Sequence, residues 1–221
     1  MDEEFLLSKI DYSVLKATVV RAKVLEAAED TKRYGFATLC VFPKHVSTAR
    51  LVLPKEKVCA VIGFPLSTVP TELKLSEVSY VLNQGAGELD VVVDLGAVKE
   101  GDWASIEREL LEIRNEASDA VLKLILECCY LTEEEKRTLC RLASDCGWDF
   151  VKTSTGYGSY GATIIDVENL KDWCGKGVKV KAAGGIRTLE EVKRFLNAGA
   201  DRIGTSSGVE IARSLLHGRE V

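Results

Sequence analysis

Short apolar runs recur along the chain at near-regular intervals, each separated from the next by a polar stretch with helical periodicity. The runs fall at residues 10–15, 36–41, 58–64, 89–93, 122–126, 150–152, 178–182 and 202–204. Near-continuous apolar character, rather than alternation, suits parallel strands buried on both faces. Between the runs, Leu75, Val78 and Leu82 share one helical face, as do Ile106, Leu110 and Ile113. Thr132 with Glu135 and Thr188 with Glu191 have the spacing of capping boxes, and Ser105 is placed to cap the helix that carries Ile106. Gly85, Gly147 and Gly199 each stand where a helical pattern ends and a strand follows, the position of a C-terminal cap.

Eight strand–helix units predict an α/β fold of the (β/α)8, or TIM-barrel, type, as one domain over residues 1–221 with a short helical segment at about 2–9. A doubly wound open sheet is the alternative, but the glycine-rich nucleotide fingerprint follows no early strand.

Composition narrows the function classes. The net charge is −5, without a basic block or aromatics interleaved with Arg and Lys, which argues against nucleic-acid and membrane partners. The acidic start lacks the stages of a signal peptide, and the apolar run at 58–64 is far short of the ~20 residues of a membrane span. Seven cysteines lie scattered without CxxC spacing, so reduced thiols and a cytoplasmic location are expected. The two histidines, His45 and His217, are far apart and join no cysteine cluster in the sequence, which argues against a zinc centre and a Ser-His-Asp triad.

In a barrel, the active site lies where strand C-termini meet their loops. Strand six ends Val151-Lys152-Thr153, and strand seven reads Val180-Lys181-Ala182. One such lysine could reach the rim as a snorkelling side chain, but two on neighbouring apolar strands need a further reason. Close approach of two ammonium groups disfavours charging both, and an uncharged amine is what attacks a carbonyl. Asp90, among valines and leucine, is costly unless paired with lysine or used chemically. Lys123 and Glu127, four residues apart, are expected to point inward, either as a barrel-filling ion pair or as a network around the amine. Gly184 and Gly185 after strand seven, and Gly204, Ser206 and Ser207 around the end of strand eight, have the make-up of a phosphate cradle, although the serines could serve only as helix caps.

The stretches VIGFPLSTVPTELK, GELDVVVDLGAVKEGD, FVKTSTG, VKAAGGIRT and RIGTSSG, with TEEEK following LILE, occur in an order that resembles the deoxyribose-phosphate aldolase family over residues 10–211. The resemblance implies a class I aldolase, a lyase of carbohydrate and deoxyribonucleotide breakdown. Its reaction is reversible cleavage of 2-deoxy-D-ribose 5-phosphate to D-glyceraldehyde 3-phosphate and acetaldehyde. Lys152 matches the imine-forming lysine, Lys181 the second lysine, and Asp90 the aspartate of the acid/base steps. Gly184, Gly185, Gly204, Ser206, Ser207, Thr155 and Lys123 are implied to bind substrate and phosphate. The resemblance also implies phosphosugar and aldehyde substrates, no metal or organic cofactor, and a homo-oligomer, dimer or tetramer. Tyr12-Ser13 stands in place of a frequent His-Thr, Phe42 and Asp94 replace asparagines, and Tyr157 replaces a lysine; the last tyrosine is Tyr160. A Schiff-base aldolase for another sugar phosphate, and a barrel that binds phosphosugars without turnover, are the competing readings. Cys40, at the end of strand two, is expected close enough to the site to react with unsaturated aldehydes.

Overall fold

The eight apolar runs become parallel strands closed into a barrel in a computed structural model, which describes residues 3–217. In chain order they are β1 (Ile10–Val14), β2 (Thr38–Val41), β3 (Val58–Ile62), β4 (Glu88–Val92), β5 (Val121–Ile125), β6 (Phe150–Lys152), β7 (Lys179–Ala183) and β8 (Arg202–Thr205). Each pairs with its neighbours in sequence, and β8 closes on β1 with Asp11 opposite Gly204. The wall is made of α2 (Arg21–Tyr34), α3 (Val46–Ala49), α4 (Thr71–Asn83), α5 (Leu95–Glu100), α6 (Trp103–Glu116), α7 (Glu133–Asp145), α8 (Ile164–Trp173), α9 (Leu189–Asn197) and α10 (Gly208–His217), with α1 (Glu3–Leu7) ahead of β1. The alternation is uneven in two places. The unit after β2 has only the four-residue α3 between two 3-10 turns, and the unit after β4 has two helices.

The outer faces of the strands and the inner faces of the helices make one apolar core, in which Val78, Ile106, Leu110 and Ile113 are buried as their spacing predicts. Both capping boxes form, on α7 and α9. Gly85, Gly147 and Gly199 all take positive φ just past their helices, the conformation that lets the chain turn back into a strand. The cap of α6 differs from expectation: Asp102, not Ser105, precedes the helix, and its Oδ1 accepts from the Ser105 amide at 3.1 Å. An aspartate three residues earlier can satisfy the same orphan amide and adds a favourable charge at the positive end of the helix.

Candidate active site

Register brings the charged residues of six strands into the barrel interior. Asp90 on β4 lies opposite Lys123 on β5, Lys152 on β6 opposite Lys181 on β7, and Lys181 opposite Arg202 on β8. Asp90 is the hub. Its Oδ2 accepts from Lys152 Nζ at 2.8 Å and from Lys181 Nζ at 2.7 Å, and its Oδ1 lies 3.0 Å from Lys123 Nζ. A second carboxylate, Asp11 on β1, pairs with Lys181 at 2.6 Å and Arg202 at 2.7 Å. Glu88 at the start of β4 pairs with Lys123 at 2.5 Å and with Arg202 at 3.5 Å.

These contacts decide the protonation states. Burial alone would raise the carboxyl of Asp90, but Lys123, Lys152 and Lys181 together hold it well below the usual carboxylate range. Asp11 is likewise lowered, with burial overcome by Lys181, Lys123 and Arg202. Burial opposes the charge on Lys181, yet Asp11 and Asp90 push it above the ordinary lysine value; Lys123 goes the same way under Asp90, Cys59, Glu88 and Asp11. Lys123 and Lys181 are therefore fixed as ammonium groups. Lys123, Lys181 and Arg202 already match Asp11, Glu88 and Asp90 one for one, so a proton on Lys152 is a charge in excess. Lys152 pairs with a single carboxylate, Asp90, whereas Lys123 and Lys181 are each held by more than one.

The Lys152 side chain keeps a small exposed fraction, whereas those of Lys123 and Lys181 have none. Phe64 covers it, with the ring centroid 6.0 Å from Nζ, and Phe64 packs edge-on against Phe42 at 5.9 Å and Tyr157 at 5.6 Å. The Tyr157 hydroxyl donates to the Leu15 carbonyl at 2.6 Å, and so bridges the loops after β6 and β1. Tyr12 is buried against Phe36, and Asp94 caps α5 by accepting from Ala97 N.

Several expectations change in the folded chain. Lys123 does not reach the mouth; it is wholly buried among three carboxylates and holds Asp90 from the side away from Lys152. Glu127 is not its partner, because β5 ends at Ile125 and the two-residue alternation stops there. Glu127 takes a left-handed conformation (φ 54°) and accepts from the Thr155 amide at 3.2 Å and from the Thr155 hydroxyl. Burial pushes the Glu127 carboxyl up. The Thr155 amide and hydroxyl thus both hold the Glu127 carboxylate.

Gly204 lies within β8, in the run that predicted that strand, and a Cβ there would stand 3.0 Å from Lys181 Cε and 2.9 Å from Ala183 Cβ. Its lack of a side chain makes room for Lys181. Gly184 and Gly185 both have positive φ, and Gly184 lies directly against Gly161, where a Cβ would collide with the Gly184 carbonyl oxygen. Ser206 is exposed, and Ser207 leads directly into α10. The Thr205 hydroxyl ties the two loops by donating to the Ile186 carbonyl at 2.6 Å, and it accepts from the Ser207 amide at 2.9 Å. A cavity of about 340 Å³ opens beside Gly184 and Gly185, lined by Glu191 and Arg194 but not by the serines.

Two of the cysteines scattered in sequence meet in space: Cys40 and Cys59 face each other across β2 and β3. With Asp90 they place three potential metal-ligating atoms within 4.8 Å of one another. The ammonium groups of Lys123 and Lys181 beside Asp90 oppose a cation there. All seven thiols are free. Cys40 lies 3.9 Å from Asp90 Oδ2, near the site as expected, but has no exposed surface.

Asp11, Glu88 and Arg202 were not singled out from sequence as parts of the site. The signal was present: charged residues at inward positions of apolar strands, each needing a partner that only another strand supplies.

A family model described as DeoC/LacD family aldolase matches residues 2–216. A deoxyribose-phosphate aldolase of Thermococcus gammatolerans is 45% identical over 208 residues, covering 91% of this chain and 92% of that protein. A solved structure described as an aldolase superposes with a TM-score of 0.94 at 40% identity, covering 97% of each chain. The tetrameric deoxyribose phosphate aldolase of Aeropyrum pernix gives a TM-score of 0.88 at 35% identity over 97% of this chain and 92% of that one. With its closed barrel and carboxylate-linked lysines, the chain belongs to the DeoC/LacD family of aldolases.

Proposed function

We propose that this chain is a class I aldolase that reversibly cleaves 2-deoxy-D-ribose 5-phosphate to D-glyceraldehyde 3-phosphate and acetaldehyde, with Lys152 as the Schiff-base lysine. The observation that carries the reading is the single Asp90 oxygen shared by Lys152 and Lys181 at the strand ends of the barrel. The amine of Lys152 adds to the aldehyde carbon of the open-chain sugar, and loss of water gives an iminium. Its positive charge then sits where Asp90 already faces Nζ. The iminium draws electrons from the C2–C3 bond, which breaks as the C3 hydroxyl loses its proton. The released aldehyde leaves an enamine, which is protonated at C2 and hydrolysed from Lys152. Asp90, held as a carboxylate, and Lys181, held as an ammonium, pass these protons through a water between substrate and network.

We assign the phosphate to Ser206, Ser207 and the start of α10, where the helix dipole favours an anion, together with the positive-φ Gly184 and Gly185 of the loop after β7. No metal or organic cofactor is needed in this scheme. The tetrameric relative supports a homo-oligomer, and among the described residues no helix is long and apolar enough to cross a membrane, in keeping with a cytoplasmic enzyme.

Incubation with acetaldehyde and borohydride tests the reading. The intact mass should rise by one reduced ethyl group, and peptide mapping should find it on Lys152. Lys152→Leu should abolish trapping and turnover together. An adduct on Lys181, Lys123 or Lys179 would reassign the nucleophile, and no adduct at all would refute the aldolase.

A further inference from the structure

Two polar residues of the VIGFPLSTVPTELK stretch, Ser67 and Lys74, take no part in the chemistry above, yet both are buried outside the barrel. Lys74 on α4 has no exposed surface, and its Nζ donates to Glu109 Oε1 on α6 at 2.6 Å and to the Val92 carbonyl, at the end of β4, at 3.1 Å. The same carbonyl accepts from Ser67 Oγ at 3.0 Å, and Thr71 Oγ1 donates to the second oxygen of Glu109 at 2.9 Å. Gly63 lies directly on the Lys74 stem: a Cβ there would stand 3.2 Å from Lys74 Cε. Its amide donates to Glu77 Oε2 at 2.8 Å, and its carbonyl accepts from the Ser67 amide at 2.6 Å. Ser67 is held at a positive φ of 54°.

Everything fastened here brackets one side chain, Phe64, the ring that stands over Lys152. A buried ion pair is a poor device for stability, since an apolar pair of similar volume often does as well. What it supplies is direction: fixed donors and acceptors that register α4, α6 and the loop on the end of β4, two residues from Asp90. We infer that Lys74, Glu109 and Glu77 are positioning residues that hold Phe64 over Lys152, so that the ring keeps the covalent intermediate oriented and screened from bulk water. The inference rests on Lys152 as the imine-forming residue. A loosened ring would leave imine formation possible while the bond-breaking step loses its geometry.

The test uses the double variant Lys74→Met/Glu109→Leu, which removes both charges and strands neither. Borohydride trapping should still place one adduct on Lys152. The retro-aldol kcat should fall about tenfold, with KM changed by less than about threefold, as expected when a reacting group is misplaced. Glu77→Leu, which frees only the Gly63 amide, should show a smaller loss of the same kind and decides the matter if the double variant does not fold. In a Phe64→Leu background the clamp substitutions should cost little more, because their effect passes through that ring. Wild-type kcat in the folded clamp variants, or losses that multiply fully with Phe64→Leu, would overturn the clamp while leaving the aldolase intact. Absence of the Lys152 adduct in the wild-type protein would overturn the reading beneath it.

Discussion

Replacing Lys181 with methionine, nearly its shape but uncharged, probes both what holds the site together and what makes Lys152 reactive. The lysine nitrogens share Asp90 Oδ2 at 2.7 and 2.8 Å, so they stand no more than about 5.5 Å apart. At an effective dielectric constant near 20, two unit charges at that distance repel by roughly 3 kcal/mol. Removing Lys181 removes that repulsion and leaves Asp90 freer to hold Lys152 as an ammonium. Imine formation at neutral pH should therefore slow by about a hundredfold, because each ~1.4 kcal/mol is tenfold, and should recover as pH rises. Stability changes too. Asp11 retains Arg202 at 2.7 Å, and Asp90 retains Lys123 and Lys152, so the loss should fall near the low end of the ~3–5 kcal/mol for breaking a buried pair. For a chain of this length that is a fall of roughly 6–12 °C in Tm. The assay is the rate of borohydride trapping with acetaldehyde across pH, read by intact mass, beside a thermal melt of the same sample. Trapping as fast as wild type at neutral pH, in a variant shown to be folded, would refute the electrostatic role of Lys181.

Three further outcomes follow from particular contacts. Gly204→Ala should lower Tm by a few degrees, through overpacking of about 1–3 kcal/mol against Lys181 Cε and Ala183 Cβ, and should slow turnover; an unchanged Tm would show that the interior has slack at β8. Ser206→Asp should weaken deoxyribose 5-phosphate far more than unphosphorylated deoxyribose, since a fixed carboxylate repels the dianion; equal losses in kcat/KM would place the phosphate elsewhere. Asp11 and Asp90 have folded values below their unfolded ones, so their stabilisation is present above about pH 4 and is lost as pH falls toward the folded values. Lys123 and Lys181, shifted upward, stay charged in both states over that range and add no slope. Melts should show Tm dropping steeply below about pH 4, and a flat profile from pH 5 to 3 would contradict the buried pairing.

Much of this molecule is determined by local sequence. The eight strands appear within a residue or two of the mainly apolar runs, because a strand buried on both faces carries few polar positions, and those few are the charged residues that meet inside the barrel. The capping boxes at Thr132 and Thr188 and the glycines at 85, 147 and 199 need only neighbours three or four residues away, and they form as read. Lys152 and Lys181 could be picked out because an ammonium group inside an apolar strand is expensive wherever it points. What the tertiary structure alone decided is partnership. Whether Lys123 meets Glu127 four residues away or Asp90, Glu88 and Asp11 on other strands depends on where β5 stops and on barrel register, neither of which is a local property. The same register pairs Cys40 with Cys59 and sets Gly204 against Lys181, where its missing side chain leaves the space that the lysine fills. Periodicity says which way a side chain faces; only closure of the barrel says what it faces, because the partners come from strands up to 191 residues apart.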